Sequence, residues 1–135
     1  MFLFDTDIGI YVLNQKPGYE SILKHLDGRE QGEVIVSVIT LAELRFGIAA
    51  SRRRNLNLGK LELFLASFEV APFDERAASA YGPLRAHLQA QGTPIGPLDT
   101  LIAAHALSLG ATLVTNNVRE FGRVPNLALK NWLMS

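Results

Sequence analysis

Short apolar runs alternate along the chain with longer segments in which apolar residues recur every three to four positions. The short runs predict buried strands at residues 2–4, 34–38, 70–73 and 112–115. The longer segments predict helices at residues 6–13, 19–26, 40–50, 56–68, 75–90 and 97–109. The tail up to Trp132 is expected to add a short turn and an edge strand. This order favours an α/β fold, in which helices cover both faces of a parallel sheet.

Two of the predicted helices have recognisable sequence signals at their termini. Pro97 stands at the first position of its helix and Gly110 lies just past its end, the usual asymmetry of helix termini. Thr40 is placed as an N-cap with Glu43 three residues later, which is capping-box spacing. These signals put Glu43 and Asp99 in the first turns of their helices.

The bulk composition limits the class of protein. The 135 residues suit one domain, residues 1–135, and 48% of them are hydrophobic, so we expect a folded core. The absence of cysteine excludes disulfides, thiolate metal sites and a cysteine nucleophile, and it fits a cytoplasmic location. Residues 1–10 lack the basic start of a signal peptide, and no apolar run reaches the length of about 18 residues needed to span a membrane.

The net charge of zero, from 13 basic and 13 acidic residues, gives no sign of a strongly basic nucleic-acid binder. A local basic face can nevertheless coexist with an acidic pocket. The densest basic patch is Arg52–Arg54 with Arg45 and Lys60 nearby, which is either a phosphate-binding surface or a solvated loop.

The acidic residues fall at informative places. Asp5 directly follows the first strand, whereas Glu43 and Asp99 begin helices that lead away from the sheet region. Asn116, Asn117 and Glu120 follow the strand at residues 112–115. Because ligands bind at the carboxyl ends of parallel strands, we expect these groups to converge there.

Converging carboxylates repel one another unless a cation neutralises them, and oxygen ligands favour Mg²⁺ or Mn²⁺. Such a cluster suits metal-assisted hydrolysis of a phosphodiester by an activated water. Each acid also has a purely structural interpretation: Asp5 as a helix cap, Glu43 as a capping-box partner, Asp99 as a helix-dipole acid, and Glu120 as a surface acid. The chemical interpretation therefore depends on the set.

Four segments resemble PIN-domain ribonucleases of the VapC type, the toxins of bacterial toxin–antitoxin pairs. The segments are FDTDI at residues 4–8, SVITLAELRFG at 37–47, GTPIGPLDTLIAAHA at 92–106 and LVTNNVREF at 113–121. The resemblance covers nearly the whole chain. It implies an α/β/α sandwich and an endoribonuclease that depends on Mg²⁺ or Mn²⁺. It further implies cleavage of tRNA in the anticodon region, with initiator tRNA as the known type of target.

The resemblance also assigns residue roles. It makes Asp5, Glu43 and Asp99 catalytic metal ligands and gives the fourth acidic position to Glu120. It makes Thr6, Thr115 and Asn116 the residues that orient these carboxylates, and it favours Arg85 as a contact for RNA. Arg45, beside the basic patch, is the other candidate RNA contact. Asp7 stands where this group usually has Asn, which adds a charge near the cluster and a further candidate ligand. His105 is interpreted as a packing residue. The partners implied are a VapB-type antitoxin and a second copy of the chain.

Two other functions remain as alternatives. Asp5-Thr6-Asp7 after an apolar strand also resembles the opening of haloacid-dehalogenase-type phosphatases, although the rest of that pattern does not follow. A catalytically degenerate PIN domain that only binds a partner or RNA is the other alternative, because the usual fourth Asp is missing.

Overall fold

A five-stranded parallel sheet forms the centre of the computed structural model, which describes residues 1–134. Its strands are β1 (Phe2–Phe4), β2 (Val34–Ser37), β3 (Glu69–Ala71), β4 (Thr112–Val114) and β5 (Leu129–Lys130). They lie in the order β3-β2-β1-β4-β5, and every neighbouring pair is parallel. The two central strands end level, since Phe4 pairs with Val114.

Seven helices within residues 1–134 surround the sheet. They are α1 (Thr6–Asn14), α2 (Tyr19–Leu26), α3 (Val38–Ala49), α4 (Arg54–Ser67), α5 (Glu75–Ala90), α6 (Pro97–Leu109) and α7 (Val118–Phe121). Helices α1 to α4 pack on one face and α5 to α7 on the other. The predicted α/β/α sandwich is thus confirmed. No helix in this described part combines the length and the apolar character that crossing a membrane requires.

The strands supply side chains to two separate cores because successive residues of a strand point to opposite faces. Leu3 and Leu113 pack with α5 and α6, whereas Phe4 and Val114 pack with α1, α3 and α4. All four are fully buried. The near-continuous apolar runs of the sequence therefore match strands that are covered on both faces.

The start of α3 differs from the prediction. The helix begins at Val38, directly after β2, because the Ser37 hydroxyl accepts a hydrogen bond of 3.0 Å from the amide of Ile39. The predicted N-cap at Thr40 is wrong, and so is its capping box. Glu43 accordingly lies beyond the first turn of α3, which contains no acidic residue. The favourable helix-dipole effect expected for Glu43 is therefore small, since it fades within one turn.

Other boundaries moved by one or two residues, as is common at frayed ends. Helix α4 covers residues 54–67 where 56–68 was predicted, and β3 covers 69–71 where 70–73 was predicted. Thr115 lies just past the end of β4, although its amide still donates to the carbonyl of Lys130. The expected turn and edge strand of the tail are α7 and β5.

Candidate active site

The crevice at the carboxyl ends of β1 and β4 is the natural place for a ligand. The chain leaves β1 toward β2 on one side, whereas β4 leads to β5 on the other. Sheets of this kind bind ligands where the direction of the connections reverses. Asp5 follows β1 and Thr115 follows β4, and the amide of Asp5 donates to the carbonyl of Val114 at 3.1 Å.

Asp5 is a buried carboxylate, only 3% exposed, held at both oxygens. Its Oδ1 accepts a hydrogen bond of 2.8 Å from the amide of Ile8, which makes Asp5 the N-cap of α1. Its Oδ2 accepts a hydrogen bond of 2.6 Å from the hydroxyl of Thr115. Burial raises the pKa of Asp5 to about 6 despite these bonds, and the charges of Asp7 and Asp99 add to the effect. Capping and facing the site are therefore compatible roles for Asp5.

Asp99 stands at the centre of the acidic cluster. It lies in the first turn of α6, as predicted. The pKa of Asp99 is raised to about 6, mainly by burial and in addition by the negative charges of Glu120 and Glu43. Because Asp99 also acts on Asp5, the structure brings the four predicted acids into electrostatic range of one another.

Glu43 is held by a hydroxyl from another helix. The Thr6 Oγ1 atom, at the start of α1, donates a hydrogen bond of 2.5 Å to Oε1 of Glu43. Thr6 Oγ1 also lies 3.1 Å from the hydroxyl of Thr40. Thr40, which the sequence placed at a helix end, is therefore in contact with the residue that holds Glu43.

Glu120 is fixed beside Asp99 by two donors. Its Oε1 accepts from the amide of Gly96 at 3.2 Å, and its Oε2 accepts from Nδ2 of Asn117 at 2.7 Å. Gly96 is the N-cap of α6, so Glu120 serves as the side-chain acceptor at the start of the helix that carries Asp99. An ordinary surface acid would not make these contacts.

Asn117, which the sequence placed near the cluster but without an orienting role, contacts an acid of the cluster, whereas Asn116 does not. The Oδ1 atom of Asn116 accepts from Nδ2 of Asn131 at 3.0 Å, and within residues 1–134 Asn116 makes no side-chain hydrogen bond to an acid. Asn117 also donates its amide to the Thr115 hydroxyl at 2.9 Å. The spacing of three residues between Asn117 and Glu120 was the signal that could have identified it.

The remaining predicted residues lie around the cluster. Asp7 is exposed, and its charge reaches Asp5. Arg45 is exposed on α3 and Arg85 on α5, on opposite faces of the sheet, and Arg85 donates to the hydroxyl of Tyr81 at 3.0 Å. RNA binding by these arginines stays a prediction.

His105 is buried, 1% exposed, and links three parts of the structure. Its Nδ1 lies 2.8 Å from the Ser37 hydroxyl, and its ring packs edge-on against Phe73. Burial lowers the pKa of His105, although the charge of Asp74 and a bond with the Pro72 backbone oppose that. These contacts match a packing histidine that joins α6 to the start of α3.

The donors of the cluster fit a hard divalent cation. They are carboxylates, and in residues 1–134 the only ion pair joins Arg29 to Glu33, so no basic side chain is paired with these acids. Within the described part, however, no three side chains of His, Cys, Asp or Glu stand close enough together to hold a metal ion as they are placed. An open cluster of carboxylates suits Mg²⁺, which keeps several waters and takes one or two carboxylates.

Comparison with known proteins agrees with this architecture. The family model of the PIN domain matches residues 2–127. The chain is 41% identical to ribonuclease VapC2 of Rickettsia felis over 98% of both chains. It is 39% identical to the tRNA(fMet)-specific endonuclease VapC of Shigella flexneri over 97% of both chains. The crystal structure of Rickettsia felis VapBC2 bound to promoter DNA superimposes with a TM-score of 0.88 at 40% identity, covering 97% of this chain and 98% of that one. The chain therefore belongs to the PIN-domain family and, within it, to the VapC group.

Proposed function

We propose that this protein is an endoribonuclease toxin that depends on Mg²⁺ or Mn²⁺ and cuts tRNA, with the anticodon region of initiator tRNA as its target. The observation that carries the proposal is the convergence of Asp5, Glu43, Asp99 and Glu120 at the switch point of the sheet, where no basic side chain of residues 1–134 is paired with them. The names of its relatives, ribonuclease VapC2 and tRNA(fMet)-specific endonuclease VapC, support this function. They support neither a phosphatase nor a module that only binds.

In this proposal Asp5, Glu43 and Asp99 hold the cation, and Glu120 and Asp7 add negative charge at its edge. A bound divalent cation supplies a water of lowered pKa and positive charge that stabilises the phosphoryl oxygens. Neither function needs a nucleophilic side chain. The cluster thus suits hydrolysis of a backbone phosphodiester.

The hydroxyl and amide groups around the cluster keep the carboxylates in place. Thr115 directs Oδ2 of Asp5, Thr6 directs Oε1 of Glu43, and Asn117 directs Oε2 of Glu120. Groups of this kind typically change metal affinity or activity by 10- to 100-fold when they are lost. For Asn116 we propose a role other than the predicted one, because its side chain bonds to Asn131. It holds the segment after β4 in place and does not orient a carboxylate directly.

Cleavage of purified tRNA by the antitoxin-free protein tests the proposal. We expect a discrete product from initiator tRNA in Mn²⁺ or Mg²⁺, with its new ends in the anticodon loop, and no product in EDTA. Asp99→Asn removes one charge from the cluster and should lower the cleavage rate by at least about 100-fold, more than the 10- to 100-fold typical of a group that only orients a metal ligand.

Asp27→Asn is the matched control, because Asp27 is an exposed acid at the end of α2. It should cut at the wild-type rate. RNA binding that persists in EDTA, without cleavage in any metal, would instead support the binding module. Cleavage of another RNA in preference to initiator tRNA would retain the enzyme and replace the target.

We further propose that a VapB-type antitoxin covers an apolar surface of α3 and α4 and that the toxin forms a homodimer. Phe46 and Leu63 are each 74% exposed, and Leu56 is 54% exposed. Large exposed apolar patches commonly mark partner sites. The structural relative from Rickettsia felis is a VapBC complex bound to promoter DNA. Leu63→Asp should weaken antitoxin binding in calorimetry, while light scattering of the free toxin reports the dimer.

We take residues 1–135 to act as one domain in the cytoplasm, where tRNA is available. Light scattering and cell fractionation with a functional tag test these two points. Recovery of the toxin with the membrane or the secreted fraction would contradict the location.

A further inference from the structure

Three side chains from two helices form a continuous hydrogen-bonded chain behind the acidic cluster. Thr40 on α3 is fully buried, and its Oγ1 lies 3.1 Å from Oγ1 of Thr6 on α1. Thr6 Oγ1 in turn donates to Oε1 of Glu43 at 2.5 Å. Thr40 is therefore one hydroxyl removed from a carboxylate of the site.

The chemistry of these groups determines which hydroxyl donates in each of the two hydrogen bonds. An ionised carboxylate only accepts hydrogen bonds, so the single hydroxyl proton of Thr6 points at Glu43. The oxygen of Thr6 is then left to accept, and the proton between the two threonines comes from Thr40. A hydroxyl that accepts one hydrogen bond becomes a stronger donor in the next, so Thr40 strengthens the hydrogen bond from Thr6 to Glu43.

A threonine inside a helix usually bonds to the carbonyl four residues earlier in its own helix. Thr100 does this in α6, where its hydroxyl donates to the carbonyl of Gly96 at 2.9 Å. Thr40 stands in the first turn of α3, where the residue four positions earlier is Val36 of β2, and its hydroxyl contacts Thr6 across the helix interface. The hydroxyl of Thr40 thus forms a hydrogen bond between α3 and α1.

The methyl group of Thr40 faces Gly9 of α1. Gly9 of α1 lies against it, and a methyl group built at Gly9 would stand 3.5 Å from Cγ2 of Thr40. With its methyl group against α1 at Gly9, Thr40 presents its hydroxyl to Thr6 one turn earlier on the same helix. Threonine in a helix has two main χ1 rotamers, and the one seen here places the methyl group toward Gly9 and the hydroxyl toward Thr6.

We propose that Thr40 is a positioning residue for Glu43 that acts through Thr6 and thereby sets the affinity of the site for its divalent cation. The inference rests on the proposed metal-dependent function. Thr40 itself does not touch the cation. Its contribution is to hold Thr6 in the rotamer and donor direction that keep Oε1 of Glu43 turned into the cluster.

Calorimetric titration of Mn²⁺ into the antitoxin-free protein tests this role without relying on cleavage. Thr40→Val keeps the shape and removes the hydroxyl, and we expect about 3- to 10-fold weaker Mn²⁺ binding, less than the 10- to 100-fold typical of groups that contact a ligand directly. Thr40→Ser restores the hydroxyl and should bind within about twofold of wild type. Ser67→Ala, which removes a hydroxyl bonded only to its own helix, should bind as wild type.

A double variant separates action through Thr6 from a general structural effect. If Thr40 acts through Thr6, Thr6→Val with Thr40→Val binds Mn²⁺ no more weakly than Thr6→Val alone. Independent, multiplying losses would overturn the proposal. Wild-type affinity in Thr40→Val, or failure of Thr40→Ser to restore binding, would also overturn it.

Two further comparisons distinguish a failure of the proposed metal-dependent function from a failure of the proposed role of Thr40. Wild-type protein that is folded but binds no Mn²⁺ would refute the metal-dependent function together with this role, whereas wild-type binding with an unchanged Thr40→Val refutes only the role of Thr40. Urea unfolding checks that each variant is folded. If Thr40→Val does not fold, Thr40→Ala removes the same hydroxyl without adding a methyl group and replaces it in every comparison.

Discussion

The hydroxyl of Thr115 donates a hydrogen bond of 2.6 Å to Oδ2 of Asp5, although 110 residues separate the two in the chain. The bond joins the ends of the two central strands and aims one oxygen of a buried carboxylate. It coexists with the bond from the Ile8 amide to the other oxygen of Asp5. The carboxylate is thus held in place before any cation arrives.

Loss of the Thr115 hydroxyl should release Asp5. We expect Thr115→Val to weaken Mn²⁺ binding by about 10- to 100-fold, because a buried acceptor of the site loses its partner. Calorimetry measures this directly. Thr112→Val, the same substitution at the first residue of β4 and outside the site, is the control. Equal Mn²⁺ affinity in both variants would mean that Thr115 has no orienting role.

The two adjacent asparagines should differ in their effect on cleavage. Asn117→Ala removes the amide that holds Oε2 of Glu120 and should lower the cleavage rate by about 10-fold, the low end for a group that orients a ligand. Asn116→Ala loses only the contact with Asn131 and should stay within about twofold of wild type. The reverse order in a cleavage assay would restore the family-based assignment to Asn116.

The metal-free protein should lose stability as the pH rises. The pKa of Asp99 is raised from its ordinary value of 3.8 to about 6 in the folded state, so the folded state holds the proton more tightly. Stability is then highest in acid and falls as the pH rises from about 4 through about 6. In EDTA, Asp99→Asn should be more stable than wild type at pH 7.5 by about 1–2 kcal/mol, a value reduced for solvent screening, and not at pH 4.

Urea unfolding at a series of pH values measures this difference. Asp27→Asn, at an exposed acid, should follow the wild-type curve. Saturating Mn²⁺ should reverse the order and make the wild type the more stable protein, since the cation binds only the folded state. An Asp99→Asn curve parallel to wild type from pH 4 to pH 8 in EDTA would contradict the raised pKa.

His105 should matter for stability more than for chemistry. His105→Leu leaves the Ser37 hydroxyl without its 2.8 Å partner in a buried site and should cost about 2–3 kcal/mol in unfolding free energy. His87→Leu, at an exposed position of α5, should cost far less. Full stability of His105→Leu combined with lost cleavage would show that His105 takes part in the reaction.

Local patterns determined much of this protein. Short apolar runs and helical periodicity predicted the order of strands and helices, and Pro97 and Gly110 predicted both ends of α6, because caps and breakers act on neighbouring residues. The same patterns placed Asp5 after β1 and Asp99 at the start of α6, where the structure has them. In a parallel sheet those positions converge, so the acidic cluster was predictable from the sequence.

The tertiary structure decided which side chains hold those acids. Ser37 and not Thr40 begins α3, and Thr40 is thereby free to reach Thr6 on another helix. Glu120 accepts a hydrogen bond from the amide of Gly96, 24 residues away in the chain, and only the tertiary fold brings the two together. Such bonds depend on strand order and helix packing across long stretches of chain. Local periodicity carries no information on them, because it reports only which face of each element is buried.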